Sequence, residues 1–440
     1  MARSLAQWVE YIQTLHHREI ELSLERVREV FLRMYPNGLP YKVISLSGTN
    51  GKGSTAELLA SIYNQAGYKV GKFTSPHLVH FNERFNLNGD SVDDQGLLKA
   101  FERVEASRED IPITFFEYGT LLAIDLFAER EVDVAIMEVG LGGRLDSVNI
   151  LDADLAIVTS ISIDHTRWLG DSIEEIGFEK VAIARKDRPL VLGLSNPPAS
   201  MLNYASDLPA QLSQLGQHFD YSSLNGDDAW QWSTPELTIG DLPLPFGQQG
   251  VQLENCSSAL EAVRLMSNDL PVDRTSICKG INNATILGRC QMLGYKPDIV
   301  LDVSHNQASV ARLSQFLYSL ASTESNTESA DFSGRTVAVC GMLRDKEIVD
   351  SLKQIAGQVD DWYVATIHNE RGSQASEISS VISSICDSTV LEYDRVQAAY
   401  DAALGTLTAD DRLVVFGSFH IVGDILEHIN SRNDDSPFSR

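Results

Sequence analysis

Residues 41–76, YKVISLSGTNGKGSTAELLASIYNQAGYKVGKFTSP, constrain this chain more than any other stretch. Val43, Ile44 and Leu46 form a short apolar run, the pattern of a buried parallel strand. Gly48-Thr49-Asn50-Gly51-Lys52-Gly53-Ser54 follows. Its glycines let the backbone bend tightly and turn its amides toward an anion. Lys52 can reach terminal phosphates, and Ser54 can set a hydroxyl on Mg²⁺. Leu58, Leu59, Ile62, Tyr63 and Ala66 then recur at helical spacing, with Gly67 placed to end the helix. The N-terminus of such a helix points at a bound phosphate. The loop is shorter than the standard G-x-x-x-x-G-K-[ST] pattern, and a glycine separates its lysine from its hydroxyl residue. A ligand-free turn is the competing reading; the strand before and the helix after favour phosphate.

The 440 residues suffice for two or three domains with real cores, and 43% hydrophobic content is that of a soluble globular chain. Acidic side chains number 61 against 35 basic ones, a formal charge of −26, which opposes general nucleic-acid binding. Cysteines at 256, 278, 290, 340 and 386 show no CxxC spacing, so neither a disulfide framework nor a zinc site is expected and a reducing compartment fits. The N-terminal segment is too polar for a signal peptide, and no apolar run reaches membrane-spanning length. A cytoplasmic protein is expected.

Taken in order, residues 4–15 read as an amphipathic helix, and a second helix with Val27, Val30, Phe31 and Met34 inward runs to Pro36. His16-His17 between them invites a metal reading, but adjacent helical residues do not face each other, and a loop or helix end is the competing reading. Ser75 falls just past the second parallel strand, at the edge where ligands bind in open α/β sheets; a Ser-Pro strand stop is the alternative. Ile113–Gly119 opens a helix to about Arg130, and its Phe115, Phe116 and Glu117 form either core or a wall for a flat heteroaromatic ligand. Val132–Glu138 is a buried strand ending in a carboxylate, a place where a nucleotide's Mg²⁺ is held. Asp154–Ile161 is another strand, leading to Asp164-His165 at the same edge. Ser172 with Glu175 forms a capping box for a helix carrying Lys180, which by itself reads as a solvated charge.

Residues 190–250 suggest shorter strands and turns, and helical periodicity returns from Asn255 to Met266. A domain boundary is placed after 287, giving domains 1–287 and 288–440. In the second, strands are expected at 299–303, 336–340, 361–365 and 413–416, with helices from Gln307 to Ser319 and after Gly417-Ser418. The polar tract 321–333 reads as a mobile loop. Strand–helix alternation makes this a parallel α/β domain, and it carries no GxGxxG fingerprint.

In their order, these segments resemble the folylpolyglutamate synthase family, relatives of the Mur ligases, and within it the bifunctional branch that also makes dihydrofolate. The resemblance covers nearly the whole chain. Its markers are Gly48–Ser54, Ser75-Pro76-His77-Leu78, Phe116–Thr120, Glu138–Asp146, Asp164-His165 with Leu169-Gly170, Glu179-Lys180, Gly288-Arg289, Asp302–Asn306 and Gly417-Ser418. The fold implied is an N-terminal P-loop, Mur-ligase-type ATP-binding domain followed by a C-terminal Rossmann-like parallel α/β domain. The activity implied is an Mg-ATP-dependent amide ligase. ATP phosphorylates a pteroyl carboxylate, and the amine of L-glutamate attacks the acyl phosphate. Dihydropteroate would give dihydrofolate, and reduced folates would gain polyglutamate tails.

The resemblance also assigns residues. Thr49, Asn50, Gly51, Lys52, Gly53 and Ser54, with Asn255, Arg289 and Asp302, would bind ATP, the last two from the domain junction and second domain, so that hinge closure assembles the site. Ser54 would serve a nucleotide-bound Mg²⁺, and Ser75, Glu138 and His165 a second one. Lys180 would carry a CO₂-derived carbamate. Glu19, Ile20, Glu21, Leu22, Thr114, Phe115, Phe116, Glu117 and Leu145 would hold dihydropteroate, and His305 would place the phosphate or the incoming glutamate. A monomer without nucleic-acid or membrane partners is implied. Ser304 in place of Ala, Leu287 in place of Pro, and Arg167 where an acidic or neutral residue is frequent depart from the pattern and bear on closure and local field. A polyglutamate synthase alone stays open. So does a Mur-type ligase acting on a UDP-sugar, although residues 1–40 are few for its UDP-binding domain. The third alternative is a nucleotide-binding regulator, which loss of Lys52, Glu138 or His165 would have favoured.

Overall fold

The computed structural model describes residues 3–18, 20–224, 229–247, 252–294, 296–323, 332 and 334–432. Two compact units meet in sequence between Thr285 and Ile286.

The first unit is built on β1 (Lys42–Ser47), β2 (Val70–Phe73), β3 (Phe85–Leu87), β4 (Asp90–Ser91), β5 (Val134–Glu138), β6 (Leu155–Val158), β7 (Pro189–Leu192) and β8 (Gln211–Gln214). They lie in the order β4-β3-β2-β5-β1-β6-β7-β8. From β2 to β8 the neighbours run parallel, while β3 and β4 form an antiparallel edge. Leu46 pairs with both Glu138 and Ile157, and Phe73 with Met137, so β1, β2, β5 and β6 end at one edge.

Both faces of this sheet are buried, as its continuous apolar strands require. Val134 and Ile136 join Ile44, Leu46, Leu155 and Ile157 on one face, and Ala135 and Met137 join Val43, Ala156 and Val158 on the other. The two-residue period of a strand produces that split. Helices Lys52–Gln65, Leu253–Leu265 and Arg274–Asn283 cover the first face. Helices Leu5–Thr14, Glu25–Met34, Asp94–Arg108 and Phe115–Glu129 cover the second. Residues 190–250 hold short strands as expected, among them β9 (Asp220–Ser223), β10 (Ala229–Ser233) and β11 (Thr238–Pro243) in an antiparallel three-stranded sheet, and they differ from the sequence expectation in a helix, Ala199–Asp207. The buried Trp230 and Trp232 of β10 anchor that sheet to the first-face core.

The second unit contains β12 (Gln291–Gly294), β13 (Asp298–Asp302), β14 (Thr336–Cys340), β15 (Asp361–Ala365), β16 (Thr389–Tyr393) and β17 (Arg412–Phe416), in the order β12-β13-β17-β14-β15-β16. Five strands are parallel, and β12 is an antiparallel edge strand absent from the sequence reading. Only residues 295–297 join β12 to β13, too few for the crossover a parallel pair needs. The helix expected at Gln307–Ser319 extends to Thr323. Residues 324–331 and 333, in the tract read as a mobile loop, lie outside the described residues.

Candidate active site

At the C-terminal end of β1 the chain turns through Gly48, at φ +144°. A Cβ there would lie 2.0 Å from the Thr159 hydroxyl oxygen, so only glycine fits. The loop is clamped to the segment after β6. The Thr49 amide donates to the Ser160 carbonyl at 2.7 Å, and the Thr159 and Ser160 hydroxyls donate to the Asn50 carbonyl at 2.7 and 2.9 Å. Thr159 and Ser160 were not singled out from sequence; their position after a buried strand at the ligand-facing edge was the available signal. Gly51, at φ +90°, caps the helix Lys52–Gln65. No side chain caps that N-terminus and no acidic residue sits in its first turn, so its positive dipole end is left for an anion. Gly53 is half-buried and Ser54 is buried in the first turn.

Two lysines meet beneath the loop. Lys52 Nζ donates to the Gly48 carbonyl at 2.9 Å and to that of Thr49 at 3.3 Å. Lys180 Nζ donates to the same Gly48 carbonyl at 3.0 Å. Lys180 is 5% exposed, so its plain sequence reading as a solvated charge is corrected. The capping box of Ser172 and Glu175 starts its helix, Ile173–Val181, and the packing of that helix turns the ammonium inward.

Glu138 ends β5 and is buried; its Oε2 accepts the Ser75 amide at 3.1 Å. Ser75 therefore lies beside Glu138 at the ends of adjacent strands. The loop after Glu138 is tied down by Asp146, whose carboxylate accepts the Gly140, Leu141 and Val148 amides at 2.9–3.0 Å. Burial pushes this carboxyl up to about 6, with the three amides and Lys52 pulling the other way. The Ser47 hydroxyl donates to the Gly142 carbonyl at 2.6 Å and joins this loop to β1. His165 has a left-handed backbone (φ +54°) ahead of the short helix Thr166–Leu169, and its side chain is about one-third exposed, with Nε2 3.9 Å from Asp164 Oδ1. The nearby Arg167 guanidinium lies 5.6 Å from the Trp168 ring. Asn255 is buried, donates to Gln252 Oε1 at 2.6 Å, and lies so close that a Cβ on Gly51 would be 2.3 Å from its Oδ1.

Among the described residues, those expected around dihydropteroate fall at one helix start, Thr114–Glu117, and in two loops, Ile20–Leu22 and the one holding Leu145. Thr114 and Glu117 form a capping box on helix Phe115–Glu129: the Thr114 amide donates to Glu117 Oε2 at 2.7 Å. Glu117 is buried, and its Oε1 accepts Arg26 Nη2 at 3.1 Å. Glu21 accepts Arg26 Nη1 at 2.9 Å, and His16 Nε2 lies 3.4 Å from its other oxygen. Phe115, Phe116, Ile20, Leu22 and Leu145 are half-buried, and the Arg84 guanidinium stands 5.2 Å from the Phe115 ring. Arg84, another residue missed from sequence, is buried and donates through Nε to His77 Nδ1 at 2.7 Å. Glu19 lies outside the described residues.

In the second unit, Arg289 Nη1 donates to the Gly288 carbonyl at 3.3 Å and its guanidinium lies 4.9 Å from the Phe419 ring. Asp302 ends β13, with one oxygen accepting the Cys290 amide and the other the Ser304 amide, both at 2.7 Å. His305 Nδ1 is 2.9 Å from the Val303 carbonyl. Ser304 is buried, and Leu287 is 54% exposed.

Ser54, Ser75, Glu138 and His165 offer two hydroxyls, one carboxylate and one imidazole. Among the described residues no three His, Cys, Asp or Glu side chains cluster as a self-sufficient metal site. Two hydroxyls and a carboxylate are the hard oxygen donors that suit Mg²⁺, which keeps waters and takes phosphate oxygens alongside one or two protein ligands. Also among the described residues, no helix is long and apolar enough to cross a membrane.

Two domain families match the chain: the Mur ligase middle domain over residues 46–218, and the Mur ligase glutamate ligase domain over residues 288–419. The chain is 38% identical over 431 residues to the dihydrofolate synthase/folylpolyglutamate synthase of Escherichia coli K12, spanning 98% of this chain and 97% of that one. It resembles the structure of E. coli FolC in complex with DHPP and ADP, with a TM-score of 0.91, 38% identity, and 98% and 99% of the two chains covered. A bifunctional folylpolyglutamate synthase/dihydrofolate synthase with Mn, AMPPNP and L-glutamate bound superposes with a TM-score of 0.87 at 35% identity, covering 97% of this chain and 98% of that one.

Proposed function

The chain belongs to the dihydrofolate synthase/folylpolyglutamate synthase family of Mur-type ligases, and on that footing we propose that its eight-stranded unit houses the phosphoryl chemistry. It is an ATP-dependent, ADP-forming ligase that adds L-glutamate to dihydropteroate and to the glutamate tail of reduced folates. One observation carries the reading of the site: the Lys52 ammonium lies on the Gly48 and Thr49 carbonyls of a glycine loop that opens an uncapped helix. That arrangement suits a polyphosphate.

A carboxylate is a poor electrophile, because its charge repels nucleophiles and oxide is a poor leaving group. Attack of a carboxylate oxygen on the γ-phosphorus, with loss of ADP, removes both obstacles. The glutamate amine then attacks the acyl carbon, and phosphate leaves with the former carboxylate oxygen. The amides of Gly51–Ser54 hold the phosphates, Thr49 and Asn50 shape the loop around them through Ser160, and Lys52 offsets charge on the group in transfer. Ser54 serves one Mg²⁺, and Ser75, Glu138 and His165 serve a second. Bound Mg²⁺ supplies charge neutralisation and Lewis-acid polarisation of phosphoryl oxygens. Asn255 steadies the loop at Gly51 on the nucleotide side. Arg289 and Asp302 keep the nucleotide role, and His305 the phosphate or glutamate role, that the family pattern gives them. Ile20–Leu22, Thr114–Glu117 and Leu145 flank the pteroyl group.

Lys180 is assigned a carbamate. Two like charges on one carbonyl oxygen repel. Loss of one proton to solvent frees the Nζ lone pair, and addition of CO₂ with loss of a second proton makes one of them an anion and leaves an N–H for Gly48. Lys180→Ala should nearly abolish ligation in a folded protein. ¹³C NMR after ¹³C-bicarbonate should show a carbamate signal that this variant lacks; normal turnover in the variant would sink the assignment. The same reading makes the protein a cytoplasmic monomer with small-molecule partners only, in keeping with its charge of −26.

The direct test is ADP release with Mg-ATP and L-glutamate, adding 7,8-dihydropteroate or tetrahydrofolate separately. Turnover with both is expected. Turnover with tetrahydrofolate alone refutes the dihydropteroate site, and no turnover with either refutes the ligase reading.

A further inference from the structure

Arg26 lies in the first turn of the helix Glu25–Met34, and nothing in the chemistry above uses it. Its planar guanidinium spans two carboxylates from distant parts of the chain. Nη1 donates to Glu21 Oε1 at 2.9 Å, and Nη2 donates to Glu117 Oε1 at 3.1 Å and to the Glu21 carbonyl at 3.4 Å. The Arg26 side chain is 18% exposed and that of Glu117 4%. Glu117 also receives the Thr114 amide on its other oxygen. Two of the three groups of residues expected to flank the pteroyl substrate are therefore fastened to one side chain: the segment Ile20–Leu22 through Glu21, and the first turn of Phe115–Glu129 through Glu117.

This changes what the two carboxylates do. Glu117 spends one oxygen on its capping box and the other on Arg26. Glu21 faces Arg26 with one oxygen, and His16 and Arg18, at 3.4 and 3.9 Å, with the other. What these two segments leave to present to a flat ring is the half-buried rings of Phe115 and Phe116 and the apolar side chains of Ile20 and Leu22. A lysine could not replace the arginine, because a single ammonium on a flexible stem lacks the rigid fork that meets two acceptors at once.

We infer that Arg26 is the positioning residue for the pteroyl side of the site, acting by bridging Glu21 to Glu117 so that segment 20–22 is held against the first turn of helix Phe115–Glu129. The inference rests on the pteroyl placement given under Proposed function. Arg26 touches no reacting atom in this scheme, so its removal should weaken pteroyl binding and spare the nucleotide.

The test compares the unsubstituted protein with Arg26→Ala, Arg26→Lys, Glu21→Gln and the Glu21→Gln/Arg26→Ala pair, measuring kcat, the KM for dihydropteroate and the KM for ATP. Arg26→Ala should raise the dihydropteroate KM about tenfold or more while kcat and the ATP KM stay within about twofold. Arg26→Lys should recover only part of the loss. In the Glu21→Gln background, the added Arg26→Ala change should cost less than it does alone, since the charge on the Glu21 side of the bridge is already removed. If Arg26→Ala does not fold, the lysine variant and the Glu21→Gln background carry the comparison. Equal changes in both KM values, full rescue by lysine, or additive losses in the pair would overturn the inference and leave the pteroyl assignment standing. Absence of dihydropteroate turnover in the unsubstituted protein would instead remove the reading on which it rests.

Discussion

Glu138 in the first unit and Asp302 in the second occupy the same kind of position, a carboxylate at the C-terminal end of a parallel strand. Their surroundings differ. Asp302 gives one oxygen to the Cys290 amide and one to the Ser304 amide, both at 2.7 Å, and so fastens the turns at the end of its own strand. Glu138 takes the Ser75 amide from the neighbouring strand end and stands in a unit where Lys52 and Lys180 share the Gly48 carbonyl. A strand-end carboxylate thus does not by itself mark a site. The groups gathered around it decide its part: Glu138 stands in the phosphoryl site proposed above, whereas Asp302 fastens its own strand end besides the nucleotide role proposed for it.

The contrast can be broken experimentally. Its largest expected effect is on Lys52. Lys52→Ala should cut turnover about a thousandfold, the scale of losing a preorganised charge partner, with little change in melting temperature. ADP release and a thermal melt of the same preparation check this, and a folded variant with near-normal turnover would contradict it.

A smaller effect sharpens the contrast through pH. Burial raises Asp146 from an ordinary 3.8 to about 6. Between those values the folded protein holds a proton that the unfolded chain has lost. Ionisation there opposes folding, and stability falls as pH rises from about 4 to 6, by up to roughly 3 kcal/mol. Asp411 in the second unit has the opposite sign. Burial acts upward on it, but the Thr408 and Arg335 amides, the Thr408 hydroxyl and the Arg335 charge outweigh that and hold it at about 2. Its contribution is present above about 4 and is lost as pH falls toward 2. Calorimetry across both windows, with Asp146→Asn removing only the upper slope, tests the pair. An unchanged upper slope in that variant would show that Asp146 is not its source.

Next comes Asp302→Ala, which strands two buried amides and should cost about 2 kcal/mol of stability in denaturant melts. The smallest effect is expected for Gly51→Ala. Its φ of +90° costs an alanine about 1–2 kcal/mol. The new Cβ also displaces Asn255, so the ATP KM should rise while the dihydropteroate KM does not.

The sequence made some of this legible. The apolar run of β1 and the glycines after it announced strand, loop and helix because each obeys local rules. Ser172 and Glu175 announced their capping box for the same reason. β14 and β15 were read with their observed ends because buried parallel strands are continuous apolar runs. What escaped depends on partners distant in sequence. Lys180 is buried only because its helix packs toward Gly48, 132 residues earlier. Thr159 clamps Asn50 across 109 residues. β16 is an edge strand with most residues in contact with solvent, so it lacks the apolar run that marked its neighbours. Arg26 and Glu117 are 91 residues apart, and no local pattern links them.

The most direct test of phosphoryl transfer onto a pteroyl carboxylate uses dihydropteroate with both carboxylate oxygens labelled with ¹⁸O. The purified protein is given Mg-ATP and L-glutamate, and the released phosphate is examined by mass spectrometry. The account predicts one ¹⁸O in the phosphate for each amide bond made. Amide formation with unlabelled phosphate would contradict it.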